Sequence, residues 1–182
     1  MPREEKSRRR VLIDSLTADD ALAVLAKLSR AGGKIGEAVN VAITQYLQAV
    51  DSDEIALDVF DTLAAIAVED VWDRSGRTRH GYTSPAQAAV EVFEEALEPF
   101  VAKLRECLKL EMYAQADEYC LGVLQGIYDF DHNSESEYKE WAVDVPAESF
   151  AWVRKIWWDG RRDLQAHERM AACITTSCPK WM

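Results

Sequence analysis

Apolar side chains recur every three or four residues along almost the whole chain, and almost nowhere do they alternate with polar ones. A repeat near 3.6 builds helices with one apolar stripe, whereas a repeat of two builds strands. This pattern restricts the fold more than any other feature. Thr17 is followed by Ala18-Asp19-Asp20, a hydroxyl cap with acids in the first turn. Leu22, Leu25 and Leu28 follow at threefold spacing, and Gly32-Gly33 stops the helix. A second helix from about Lys34 to Val50 aligns Ile35, Val39, Ile43, Tyr46, Leu47 and Val50. Asp51 or Ser52 caps a third, with Ile55, Val59, Phe60, Leu63 and Ile66 as its stripe, ending near Glu69.

The clearest start signal is Ser84-Pro85-Ala86-Gln87: a serine cap, proline in the first turn, and a glutamine placed to reach back to the cap amide. The helix it opens extends to about Leu110 along Val90, Phe93, Leu97, Phe100, Leu104 and Cys107. Pro99 lies inside it and has no amide to donate, so a kink is expected there. A fifth helix, about Tyr113 to Tyr128, carries Gly122 and Gly126 four residues apart, a pair that permits close helix approach. Ser134 with Glu137 reads as a capping box for a short helix reaching Trp141-Ala142. Pro146 opens a seventh helix faced by Phe150, Val153, Ile156 and Trp157, and a polar helix over Arg161 to Ala172 closes the series. The longest strand candidate is Cys173 to Thr176, and the longest connection, about 14 residues, follows the third helix.

The expected fold is therefore all-α: seven to eight helices as stacked antiparallel hairpins, like a short α-solenoid, or as an irregular bundle. No repeat motif is satisfied. The expected organisation is a basic arm over residues 1–15, one helical domain over 16–160, and a C-terminal helix and exposed tail over 161–182. At 48% hydrophobic with only 8 Gly and 5 Pro, the chain is neither disordered nor fibrous. No apolar stretch approaches the ~18 residues of a membrane span, and no secretory h-region follows the N-terminus, so no membrane partner and a cytoplasmic location are expected.

Charge narrows the partners. The net charge is -11, from 32 acidic and 21 basic side chains. Arg3, Lys6, Arg8, Arg9 and Arg10 against Glu4 and Glu5 give the first ten residues +3, leaving -14 for the rest. A body that acidic repels phosphate, and no recognition helix or aromatic-basic platform accompanies the arm, so nucleic acid is not an expected partner.

Three segments carry chemistry. The run from Glu69 to Ser84 gathers Arg74, Arg77, Arg79, His80 and Tyr82 with Trp72 between two helices. Arginine forks and the free amides of the next helix suit a small anion such as a phosphate or carboxylate. Alternatively, Trp72 and Tyr82 anchor a long loop while the arginines pair with acids. His80 is the only group there titrating near neutrality, but no elbow or triad surrounds Ser75, Thr83 or Ser84, so no catalytic residue is assigned. The second segment sets Asp129, Asp131, Asn133, Glu135 and Glu140 at calcium-loop spacing. Ser134 stands where the sharp turn needs glycine, and Ser136 where an apolar residue belongs. The third is aromatic: Trp141, Trp152, Trp157 and Trp158 fall within 18 residues. Trp157 and Trp158 are adjacent and cannot share a face, so Trp141, Trp157 and Trp158 are the candidates for a protein-contact patch. The spaced Cys173 and Cys178 with His167 offer only three zinc ligands, and Cys107 and Cys120 sit on apolar stripes, so no metal or cofactor is expected.

Trp72-Asp73-Arg74-Ser75-Gly76, His80-Gly81-Tyr82, Glu94 to Phe100, Gly126-Ile127-Tyr128 and Trp141 to Pro146 resemble the pattern of an uncharacterised prokaryotic family of small all-helical proteins. The resemblance spans about Leu16 to Trp158. It implies a helical, hairpin-stacked fold and no chemistry. The function expected from the residues is a helical protein-interaction module that contacts another protein or itself; the alternative is a binder of a small anion at the Arg74 to His80 loop.

Overall fold

A computed structural model of the protein describes residues 16–48, 50–78 and 81–181. The basic arm over 1–15 lies outside the described residues, as do Arg79 and His80. The fold is all-α, with eight α-helices among the described residues. The chain divides into two compact units, Met1–Ala49 and Val50–Met182, so the division falls inside the span expected as one domain.

The first unit is a helical hairpin, α1 (Ala18–Arg30) and α2 (Gly33–Gln48). Thr17 and Asp20 cap α1 reciprocally: the Thr17 hydroxyl accepts from the Asp20 amide at 3.2 Å, and the Asp20 carboxylate accepts from the Thr17 amide at 3.3 Å. Those bonds hold the Asp20 carboxyl below its ordinary range. No residue of α1 is buried.

The second unit begins with α3 (Ser52–Ala64), capped by Asp51, whose carboxylate accepts from the Asp53 amide at 2.9 Å. Helix α3 stops five residues earlier than the sequence implied. A new start follows, because the Asp70 carboxylate takes the Ala67 amide at 3.2 Å and opens α4 (Val68–Arg74). The expected 14-residue connection is thus largely ordered: α4, then β1 (Gly76–Thr78) and β2 (Gly81–Thr83). The strands pair antiparallel with Gly76 opposite Thr83 and Arg77 opposite Tyr82. Gly76 and Gly81 have φ of 107° and 141°, backbone that side chains with a Cβ rarely adopt. Three residues are too few for alternation to register in a sequence. The expected strand candidate, Cys173 to Thr176, is helical instead.

Helix α5 (Pro85–Lys109) starts as expected, with Ser84 accepting from the Gln87 amide at 3.2 Å. The Gln87 side chain does not reach back; it donates to Glu91 at 3.2 Å. The helix runs through Pro99 as one element. Helix α6 (Tyr113–Asn133) is the centre of the unit, packing against α3, α5, α7 (Val145–Gly160) and α8 (Leu164–Ser177). Its buried residues, from Ala116 and Cys120 to Ile127 and Phe130, cover most of its circumference and leave one stripe through Glu118, Leu121 and Gln125 that is not buried. A Cβ on Gly126 would stand 2.6 Å from the Ala56 carbonyl oxygen, and one on Gly122 the same distance from that of Ser52. The glycine pair therefore sets how closely α3 lies against α6.

Two further boundaries depart from expectation. Helix α6 continues past Tyr128 to Asn133, because Phe130 is fully buried and binds the extra turn to the core. Ser134 consequently ends a helix instead of starting one, and the next element is a short 3-10 turn, Glu137–Glu140. Lys139 donates to the Ser134 carbonyl at 3.0 Å and to that of Asp131, supplying positive charge at the C-terminus of α6. The region after Gly160 is not an exposed tail. Helix α8, capped by Asp163, buries Ala166, Met170 and Ile174, Cys178 is fully buried, and the Trp181 ring lies 5.1 Å from that of Phe150.

Candidate functional site

Helix α4 carries Arg74 in its last turn, and the Arg74 guanidinium bonds the Glu95 carboxylate on α5. This is the pairing with a neighbouring acid that competes with anion binding. Arg77 lies exposed on β1, opposite Tyr82, which is itself exposed. Of the five residues expected to gather round an anion, one is engaged by a carboxylate, two sit across a two-stranded ribbon, and two fall outside the described residues. Trp72 packs edge-on against Trp141 with ring centroids 4.9 Å apart, tying α4 to the link before α7.

The calcium candidates do not form a loop. Asp129, Asp131 and Asn133 are helical residues of α6, and the Asn133 amide donates to Asp129 at 3.3 Å. A helix points side chains outward around its own axis and cannot wrap a cation as one loop does. Glu135 follows the helix end, and Glu140 closes the 3-10 turn. Burial raises the Asp129 carboxyl above its ordinary range, against a smaller opposing effect of Gln125 and His132. Among the described residues no group of three or more His, Cys, Asp or Glu could hold a metal. Cys173 is exposed while Cys178 is buried, and burial pushes the Cys178 thiol up to about 12. Burial likewise raises Cys107 and Cys120, so these three thiols stay protonated and act as small apolar groups.

The tryptophan cluster separates by face. Trp157 is fully buried, with its indole N–H donating to Asp117 on α6 at 2.9 Å, so it offers no surface to a partner. Trp158, one residue on, is half-exposed and stacks on His167 of α8 with centroids 3.7 Å apart. Trp141 is partly exposed beside Trp72. His167 Nε2 contacts the Arg161 carbonyl, an oxygen that can only accept, so Nε2 carries the proton. Arg161 in turn bonds Asp117 at 3.3 Å and Asp163 at 3.2 Å, and lies over the Tyr113 ring at 4.5 Å.

That network fixes one wall of a groove between α7 and α8 with a volume of about 550 Å³. Its floor is Trp157, Met170 and Ile174, all buried, and Arg154 and Lys155 stand at its mouth. Met170 and Ile174 are not legible as site residues in the sequence because α8 looks polar, and Arg154 is not because it lies off the apolar stripe of α7. In the sequence, His167 stands out only for its spacing from two cysteines. The i, i+4, i+8 set Ala166, Met170 and Ile174 is the available signal for a buried face. No protein-family profile matches the chain, nor does any curated protein or solved structure.

Proposed function

We propose that the protein is a helical interaction module whose N-terminal hairpin, α1–α2, pairs with a second copy of itself. The observation that supports this reading is the apolar surface of the hairpin. Leu22, Leu25, Ala26, Val39, Ala42 and Ile43 line a groove of about 710 Å³, and no residue of α1 is buried. Two helices alone enclose too little apolar surface to form a core. Among the described residues, no helix is long and apolar enough to cross a membrane, so no bilayer-spanning role competes for this face.

Charge selects the occupant. The first turn of α1 carries Asp19 and Asp20, and its last turn carries Lys27 and Arg30. A second α1 running antiparallel places the acids of each copy beside the bases of the other, while a parallel one opposes like charges. Helices of 13 and 16 residues are about 20 and 24 Å long, so side by side they present a face somewhat smaller than the ~800 Å² per partner of a standard interface. The association is accordingly weak and concentration-dependent. The alternative, an anion held by Arg74, Arg77, Arg79 and His80, is disfavoured because its first cation is already bonded to Glu95.

Sedimentation velocity over a concentration series tests the reading. The wild-type chain shifts from monomer to dimer, and Leu25→Glu abolishes the shift. The double variant Lys27→Glu, Arg30→Glu weakens pairing, and adding Asp19→Lys and Asp20→Lys restores it. A wild-type chain that stays monomeric at every concentration refutes the proposal.

A further inference from the structure

The α7–α8 groove has the composition of a small-molecule site. Sites for small ligands enclose about 300–1,000 Å³ and combine apolar walls with a few fixed polar groups. At about 550 Å³, with Met170 and Ile174 as floor over the enclosed Trp157, and Trp158 as wall, this groove meets both conditions. We propose that it binds a small amphipathic carboxylate, with the hydrocarbon part on that floor and the carboxylate on Arg154. The inference does not depend on pairing of the α1–α2 hairpin, which lies in the other compact unit.

Three observations support it. First, the wall is held in place before any ligand arrives. Trp158 stacks on His167, His167 contacts the Arg161 carbonyl, and Arg161 is fixed by Asp117 and Asp163. A rigid wall lowers the ordering cost of binding. Second, two of the polar groups along the groove are already engaged. The Trp157 indole N–H bonds Asp117, and Lys155 bonds Asp159 on the following turn. Arg154 makes no ion pair or hydrogen bond among the described residues, which leaves its guanidinium fork for an incoming anion. Third, none of the lining residues is acidic, although the chain carries 32 acidic side chains. The lining therefore contributes no negative charge of its own to repel a carboxylate held by Arg154.

Calorimetric titration of the full chain with decanoate and with naphthoate provides the test, with decanol as the uncharged counterpart. At least one carboxylate binds and raises the melting temperature, and decanol binds more weakly than decanoate. Arg154→Ala weakens carboxylate binding by about tenfold, the scale of one charge-assisted hydrogen bond, and leaves decanol unaffected. Ala171→Trp fills the groove and abolishes binding. Ala151→Phe fills it from α7 and serves as a second plug. Both alanines are exposed, so neither change overpacks the core, and circular dichroism checks that the fold persists. Absence of heat and of a melting shift with both carboxylates overturns the proposal. So does binding that survives both plugs, or decanol binding as tightly as decanoate.

Discussion

Helices α1 and α6 carry apolar residues at the same three-and-four spacing, but they meet opposite environments. In α1 nothing is buried, and Leu22 keeps 65% of its accessible surface. In α6, Cys120, Val123, Leu124, Ile127 and Phe130 are all at 0%. The difference does not lie in apolar content along the stripe. It lies in the small residues of α6: Gly122 and Gly126 admit the backbone of α3 on a side that would otherwise face water. A leucine stripe specifies one interface, whereas a stripe backed by glycines accepts neighbours on both sides.

The contrast can be broken most severely within the enclosed unit. Trp157→Ala is expected to cost about 3–5 kcal/mol in chemical denaturation, because it opens a cavity and strips Asp117 of its indole donor. Trp158→Ala, one residue away on the open face, is expected to cost about 1 kcal/mol, the scale of its stack on His167. Equal losses would mean the two faces are not distinct.

Gly126→Ala sharpens the comparison at its cause. The added Cβ would stand 2.6 Å from both the Ala56 oxygen and the Val59 Cβ, so α3 must move away, at an expected cost of about 3 kcal/mol. An unchanged midpoint would show that the glycine pair does not set the spacing. The same experiment on α1, Leu25→Ala measured in dilute protein, should change stability by less than about 1 kcal/mol, as for an ordinary surface site.

Alkaline pH separates the units by chemistry. Burial raises the Cys178 thiol from 9.0 to about 12 and the Tyr119 phenol from 10.0 to about 12. Both groups are neutral when protonated, so a raised value means that the folded state holds the proton longer than the unfolded chain. That contribution is complete below about pH 9 and is lost as pH rises from there toward 12. Residues 16–48 contain no cysteine, so the hairpin has no thiol to lose a proton at the low end of that interval. Equilibrium unfolding and sedimentation measured between pH 8 and 11 would show the body weakening first. The reverse order would contradict the assignment.

Much of the helical framework was legible because capping and periodicity are local. Thr17, Asp51 and Ser84 cap helices as their types and positions require. The failures have a common origin. Helix α6 passes its apparent end at Tyr128 because Phe130 finds a buried site, and Ser134 thereby loses its role as a start signal. Helix α8 reads as polar until it packs on α6 and buries Met170 and Ile174. The calcium spacing over Asp129 to Glu140 is correct as arithmetic, but α6 occupies its first five positions. In each case a partner distant in sequence overrode a local signal.

The sequence by itself determined that the chain is helical, where most helices begin, and that Trp157 and Trp158 must face different ways. Those properties follow from the 3.6-residue repeat and from hydrogen bonds between residues three apart. Only the tertiary structure decided which tryptophan is enclosed, that Arg74 meets Glu95, and that Arg154, unpaired among the described residues, stands beside an apolar groove. Burial and ion pairing depend on which surfaces meet, and the residues that meet lie 21 positions apart for Arg74 and Glu95 and 40 for Trp157 and Asp117. No local pattern encodes contacts over such separations.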